Sequence, residues 1–203
     1  MQTQNPPLLS DIIEAAKIHS KKVKGCYVFG SRVYQTASEY SDWDIILIAN
    51  SPSYEVEIRS GDLNIHIVTP DVALKYAKDN HIKAIECLCA PEWAKIIDFD
   101  FDFVYNEKSF RHNISHTVSN SWVKAKKKLA QGDYYIGLKS LFHSLRIVDF
   151  GTQFASNRSI DFSSSNDLWY QMNERQYNWQ ELSLMYKELI NKRLTEFRKL
   201  VSK

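Results

Sequence analysis

Along the chain, the rhythm of apolar and polar positions changes near residue 100. Before that point the apolar runs are short and broken by Gly, Pro, Ser and Asp; two of them, Tyr27-Val28-Phe29 and Ile45-Ile46-Leu47-Ile48, read as buried strands. Residues 54–58 and 63–68 read as an antiparallel pair turning around Ser60-Gly61. Leu63, Ile65 and Ile67 fall on one face of the second strand, and Asp62, Asn64 and His66 on the other. These runs predict a sheet of four strands. Helical spacing flanks them. One helix is expected from an N-cap at Ser10 to about His19, with Ile12, Ile13, Ala16 and Ile18 on its apolar side, behind a short disordered lead ending at Pro6-Pro7. Another runs from Thr69-Pro70-Asp71 to Asp79-Asn80. The apolar stretch 81–90 stops at Pro91 and encloses Glu86, a carboxylate that in such company has to be paired, protonated or catalytic.

The acidic-aromatic run Asp98 to Phe103 is the expected domain boundary, and beyond it the period is helical. Helices are predicted over 109–130, 133–156 (capped by Asp133) and 179–201, with Leu182, Met185, Leu189, Phe197 and Leu200 as the apolar face of the last. A polar loop, 157–166, leads to Trp169-Tyr170. The fold class is therefore α+β: a small mixed sheet with flanking helices over residues 1–100, then a helical bundle over 101–203.

Composition narrows the reading without deciding it. With 26 Lys and Arg against 24 Asp and Glu, the net charge of +2 does not suit wholesale wrapping of nucleic acid. No run of about 18 apolar residues suggests a membrane span, and the start MQTQNPPLLS lacks the features of a signal peptide, so a soluble, cytoplasmic protein is expected. The odd count of 3 cysteines argues against a disulfide framework, and Cys87 and Cys89 beside His81 read as core packing rather than zinc ligands.

The chemistry concentrates in Tyr27 to Ile48. The first strand breaks at Gly30-Ser31, where a chain without a bulky side chain lets a ligand approach and a short helix is expected to begin, its free N–H groups suiting phosphate. Ten residues on, Asp42 and Asp44 open the next strand two positions apart, hence on one face. Two adjacent carboxylates repel unless a cation lies between them, and hard oxygen ligands select Mg²⁺ or Mn²⁺.

Gly-Ser, a ten-residue spacer, then Asp-x-Asp followed by apolar residues resembles the nucleotidyltransferase motif of the DNA polymerase β-like superfamily. The stand-alone members it is similar to carry a C-terminal helical domain, and some are found beside RNA ligases. The resemblance implies a polymerase β-like fold in which Gly30 and Ser31, assisted by Arg32, hold the phosphates of a nucleoside triphosphate, ATP first, while Asp42 and Asp44 hold two metals. It also implies a third carboxylate on the neighbouring strand, where this chain departs: the positions there carry Asn64 and His66, with Asp62 at the entrance. Asp62 as a metal ligand and His66 as ligand or base both stay open, and Glu86, in a segment the relatives share, is read as supporting the site. Lys139, His143 and Arg146, at i, i+4 and i+7, form a basic stripe suited to clamping a triphosphate. The implied reaction moves a nucleoside monophosphate to a hydroxyl on an RNA end, a protein or a small molecule. The alternative is a catalytically degenerate nucleotide-binding or antitoxin-type protein.

Overall fold

The computed structural model describes residues 5–51, 53 and 55–201. The disordered reading of the lead falls largely on residues 1–4, and the expected strand start on Tyr54, both outside the described residues. The chain divides into two compact units, Met1–Val104 and Tyr105–Lys203. No helix among the described residues is long and apolar enough to cross a membrane.

In the first unit the described residues form one sheet of five strands: β1 (Val23–Phe29), β2 (Trp43–Ala49), β3 (Glu55–Ser60), β4 (Leu63–Val68) and β5 (Lys95–Ile97), in the order β3-β4-β2-β1-β5. β2 is central, running antiparallel to β1 and parallel to β4, so its unbroken Ile45 to Ala49 run is buried on both faces. β3 is an edge, and Glu55, Glu57 and Arg59 face solvent along it, as suits a strand that must not pair with another chain. The fifth strand, β5, was not expected; Lys95-Ile96-Ile97 is too short to show a period, and only its pairing to Cys26 and Tyr27 defines it.

Helix α1 (Leu9–Ala16) buries Ile12 and Ala16 at i, i+4 and packs on β3 and β4. It stops short of His19 because Lys17 turns left-handed at φ 53°, and Leu8 rather than Ser10 occupies the N-cap. α2 (Pro70–Lys78) starts as expected, with Thr69 Oγ1 accepting from Val72 N and Pro70 in the first turn. α3 (Ile82–Leu88) follows. The Asp98–Phe103 run is strapped to the sheet: Tyr27 Oη donates to Asp98 Oδ1 at 2.6 Å, and the Phe101 ring lies 5.9 Å from that of Tyr27.

The second unit holds α4 (Glu107–Ala130), α5 (Tyr134–Asn157), α6 (Asn166–Met172) and α7 (Trp179–Leu200). Phe110 centres its core, 5.6 Å from both Phe154 and Phe197. Asn178 and Glu181 close a reciprocal capping box at the start of α7. The face of α7 differs from the expected one. Leu182, Tyr186, Ile190, Leu194 and Phe197 are buried, whereas Met185 and Leu200 are exposed. Apolar residues lie on two rows of this helix, and the neighbours α4 and α5 choose between them.

Candidate active site

The site grows from the end of β1. Phe29 pairs with Asp44 across the sheet, and the next residue, Gly30, turns the chain at φ 77°. A Cβ built on Gly30 would collide with Asp44 Oδ2 and stand 3.0 Å from Asp44 Cβ and Cγ. The carboxylate thus lies directly over the glycine, and Ser31 follows it. The expected helix does not form here. A single closed turn, with Tyr34 N donating to Gly30 O and Thr36 N to Ser31 O, ends where Gln35 turns left-handed at φ 60°.

Two anchors hold this turn. Tyr34 Oη donates to Glu86 Oε1 at 2.7 Å inside the protein, which ties the turn to α3 and gives the buried Glu86 its supporting part. Replacing Tyr34 by Phe removes this bond and leaves a buried oxygen of Glu86 without it, which should cost about 1–3 kcal/mol, read as a lowered urea midpoint. The second anchor is Arg32, whose guanidinium stacks 4.1 Å from the Trp43 ring centre and donates to the Ser41 carbonyl. Trp43 points to the opposite face of β2 from Asp44, and Arg32 on its ring clamps the connecting loop.

Asp42 sits one residue ahead of β2 with an exposed carboxylate. Asp44 is half-buried and accepts from Asn64 Nδ2 at 2.9 Å, the two residues being partners in the parallel β2–β4 register. The other oxygen-bearing end of this amide, Asn64 Oδ1, is buried and finds no hydrogen-bond partner among the described residues.

Asp62 and His66 are placed elsewhere. No group of three His, Cys, Asp or Glu side chains that could hold a metal occurs among the described residues. Asp62 lines a cleft of about 470 Å³ with Arg32, Glu39, Tyr40 and Trp43. His66 pairs with Ile46, not Asp44, and both its nitrogens are occupied: Nε2 lies 2.5 Å from Glu55 Oε1 and Nδ1 3.4 Å from Lys83 Nζ. Tyr76 Oη also donates to that Glu55 oxygen, at 2.9 Å. Burial, then the nearby Lys83 charge, lowers the His66 pKa against the opposing pull of Glu55. Both nitrogens of His66 are thus engaged by Glu55 and Lys83, and neither is bonded to Asp44.

The basic stripe of α5 separates into two environments. Lys139 is exposed, while Arg146 is buried, its guanidinium 5.1 Å from the Phe142 ring and 3.2 Å from His143 Nδ1, which accepts from it. Burial first, then the Arg146, Lys124 and Lys139 charges, pushes the His143 pKa down to about 3. An unfolded His titrates near 6.5, so between those values the unfolded chain binds a proton that the folded one refuses, and stability falls as pH drops. From pH 7 to 5 the loss attributable to His143 should be about 2 kcal/mol. Urea unfolding at the two pH values checks this, since His143→Gln should be less acid-sensitive by that amount.

Burial pushes the Cys26 thiol up to about 12, and Cys87 is also raised.

Glycine under a carboxylate, a serine beside it and a second carboxylate two residues away make a strand–turn–strand cradle. The family model described as a nucleotidyltransferase domain matches residues 9–129, more than half of the chain, and the chain belongs to that family. The match spans the whole sheet and continues through most of α4. Solved structures similar to the chain include a nucleotidyltransferase-like protein from Exiguobacterium sibiricum, at 14% identity over 95% of this chain and 72% of that one; its TM-score of 0.32 is too low to carry an argument. No curated protein matches.

Asn64 and Tyr34 are the residues that sequence reasoning undervalued. The alternation of β4 put Asn64 on the polar face together with Asp62 and His66; only the strand register selects it as the neighbour of Asp44.

Proposed function

We propose that the first unit transfers a nucleoside monophosphate from a nucleoside triphosphate, ATP first, to a hydroxyl acceptor with release of pyrophosphate. The observation that carries this reading is the cradle, in which Gly30 lacks the Cβ that would displace the Asp44 carboxylate. It rests on the first unit alone, and the division into a catalytic domain over 1–100 and a helical domain over 101–203 is part of the same proposal.

The residues present fit a divalent cation. Asp42 offers an exposed carboxylate, Asp44 a fixed one, and the Asn64 amide bonded to Asp44 has a buried oxygen with no hydrogen-bond partner among the described residues. Asp42 and Asp44 would hold Mg²⁺ or Mn²⁺, which when bound neutralises charge on the triphosphate and lowers the pKa of the attacking hydroxyl. Ser31 and the bare backbone at Gly30 receive the phosphates, and the Tyr34–Glu86 anchor keeps that turn in place. The acceptor oxygen bonds to the α-phosphorus as the bond to the β-phosphate oxygen breaks; the hydroxyl proton passes to solvent.

A second reading, a nucleotide-binding protein that has lost transfer, is favoured by the neutral Asn64 beside Asp44. Incubation with α-labelled ATP, Mg²⁺ or Mn²⁺, and total RNA or protein separates the two. Label moved to RNA or protein, matched by pyrophosphate, supports transfer and names the acceptor class. Bound ATP with no label moved under either metal supports the second reading.

A further inference from the structure

Asn64 holds two unlike ends of one amide at the most sensitive point of the site. Its N–H group fills the space next to Asp44 Oδ1, at 2.9 Å, where a positive charge would otherwise be attracted. Its oxygen is buried with no hydrogen-bond partner among the described residues, so either end of the amide can occupy that position without giving up a bond there. Rotating the amide by half a turn about its terminal torsion exchanges the two ends without moving β4. Without a cation that exchange is opposed, because it sets an amide oxygen against a carboxylate oxygen. With a hard divalent cation between them it becomes favourable, since an amide oxygen is an ordinary ligand for such ions.

We propose that Asn64 is a third oxygen ligand of the cation site, turning its carbonyl to the ion and its N–H to Asp44 when the ion is absent. This deepens the reading above and rests on it. The site then carries two carboxylates and one neutral oxygen, a charge of −2 where a third carboxylate would make −3. Its own hold on a cation is correspondingly weak, and the ion arrives mainly with the triphosphate, whose oxygens supply the missing negative charge. In the empty site the amide N–H relieves the exposed repulsion that a third carboxylate would create. That N–H bond, made only while the ion is absent, also keeps Asp44 in one orientation in a chain without that carboxylate.

The test is Mn²⁺ binding followed by electron paramagnetic resonance, with and without ATP, on wild type, Asn64→Asp, Asn64→Leu and Asp44→Asn, each first checked for folding by thermal unfolding. Asn64→Asp should tighten Mn²⁺ binding without nucleotide about tenfold or more, through the added ligand charge. It should also melt lower than wild type in EDTA and recover with Mn²⁺. Asn64→Leu, which keeps the volume and loses both polar ends, should weaken Mn²⁺ binding with ATP present. If Asn64→Leu binds Mn²⁺ as wild type does while Asp44→Asn does not, the cation site stands and Asn64 is not a ligand. If Asp44→Asn binds as well as wild type, or wild type binds no Mn²⁺ even with ATP, the site itself is misassigned. Should Asn64→Leu fail to fold, Asn64→Ser, which retains a smaller oxygen ligand, is expected between wild type and loss, and a wild-type value there overturns the proposal.

Discussion

Asp44→Asn should reduce nucleotidyl transfer by at least about a thousandfold while the protein melts within a few degrees of wild type. The substitution changes one oxygen to nitrogen and keeps a carbonyl able to accept from Asn64, so the β2–β4 contact survives. What it removes is negative charge next to Gly30 and Ser31, where the reading places the cation and the phosphates. Placement and charge make up nearly all of catalysis in phosphoryl transfer, hence the size of the expected loss. Initial rates with labelled ATP, beside calorimetric titration of ATP with and without Mg²⁺, measure both parts. A variant with full activity and full Mg²⁺-dependent binding would remove Asp44 from the site.

Gly30→Ala should abolish transfer as well, and unlike Asp44→Asn it should also destabilise the protein. Left-handed backbone costs an ordinary residue about 1–2 kcal/mol, and here the new methyl also runs into the Asp44 carboxylate, so about 2–3 kcal/mol is expected in all. Gly61 provides the control. It too is left-handed, at φ 58°, but nothing lies within 4 Å of a Cβ built there, so Gly61→Ala should carry the backbone cost alone and leave transfer unchanged. Urea unfolding and transfer rates on the two variants separate backbone strain from the collision. Equal losses of activity in both would mean that the close approach of Asp44 to Gly30 is not what the site depends on.

Much of this protein is written locally. The strand–turn–strand from Tyr27 to Ile48, the capped starts at Thr69-Pro70, Asp133 and Asn178, and the long helices after residue 106 are all set by residues within about four positions of one another, through side-chain alternation, helical spacing and capping bonds. Gly30, Ser31, Asp42 and Asp44 could be picked out for the same reason, since turn geometry and the two-residue strand repeat are short-range. Other features were decided by partners that no local rule names. β5 exists because Cys26 and Tyr27 had an open edge, and α7 turns one of two apolar rows inward because α4 and α5 are there. Arg32 stacks on the Trp43 ring, and His66 is taken up by Glu55 and Lys83, residues 11 and 17 positions away in the chain. Asn64, rather than Asp62 or His66, became the neighbour of Asp44 because a parallel pairing between strands 20 residues apart settled on one register, and a shift of two residues along either strand would have chosen differently.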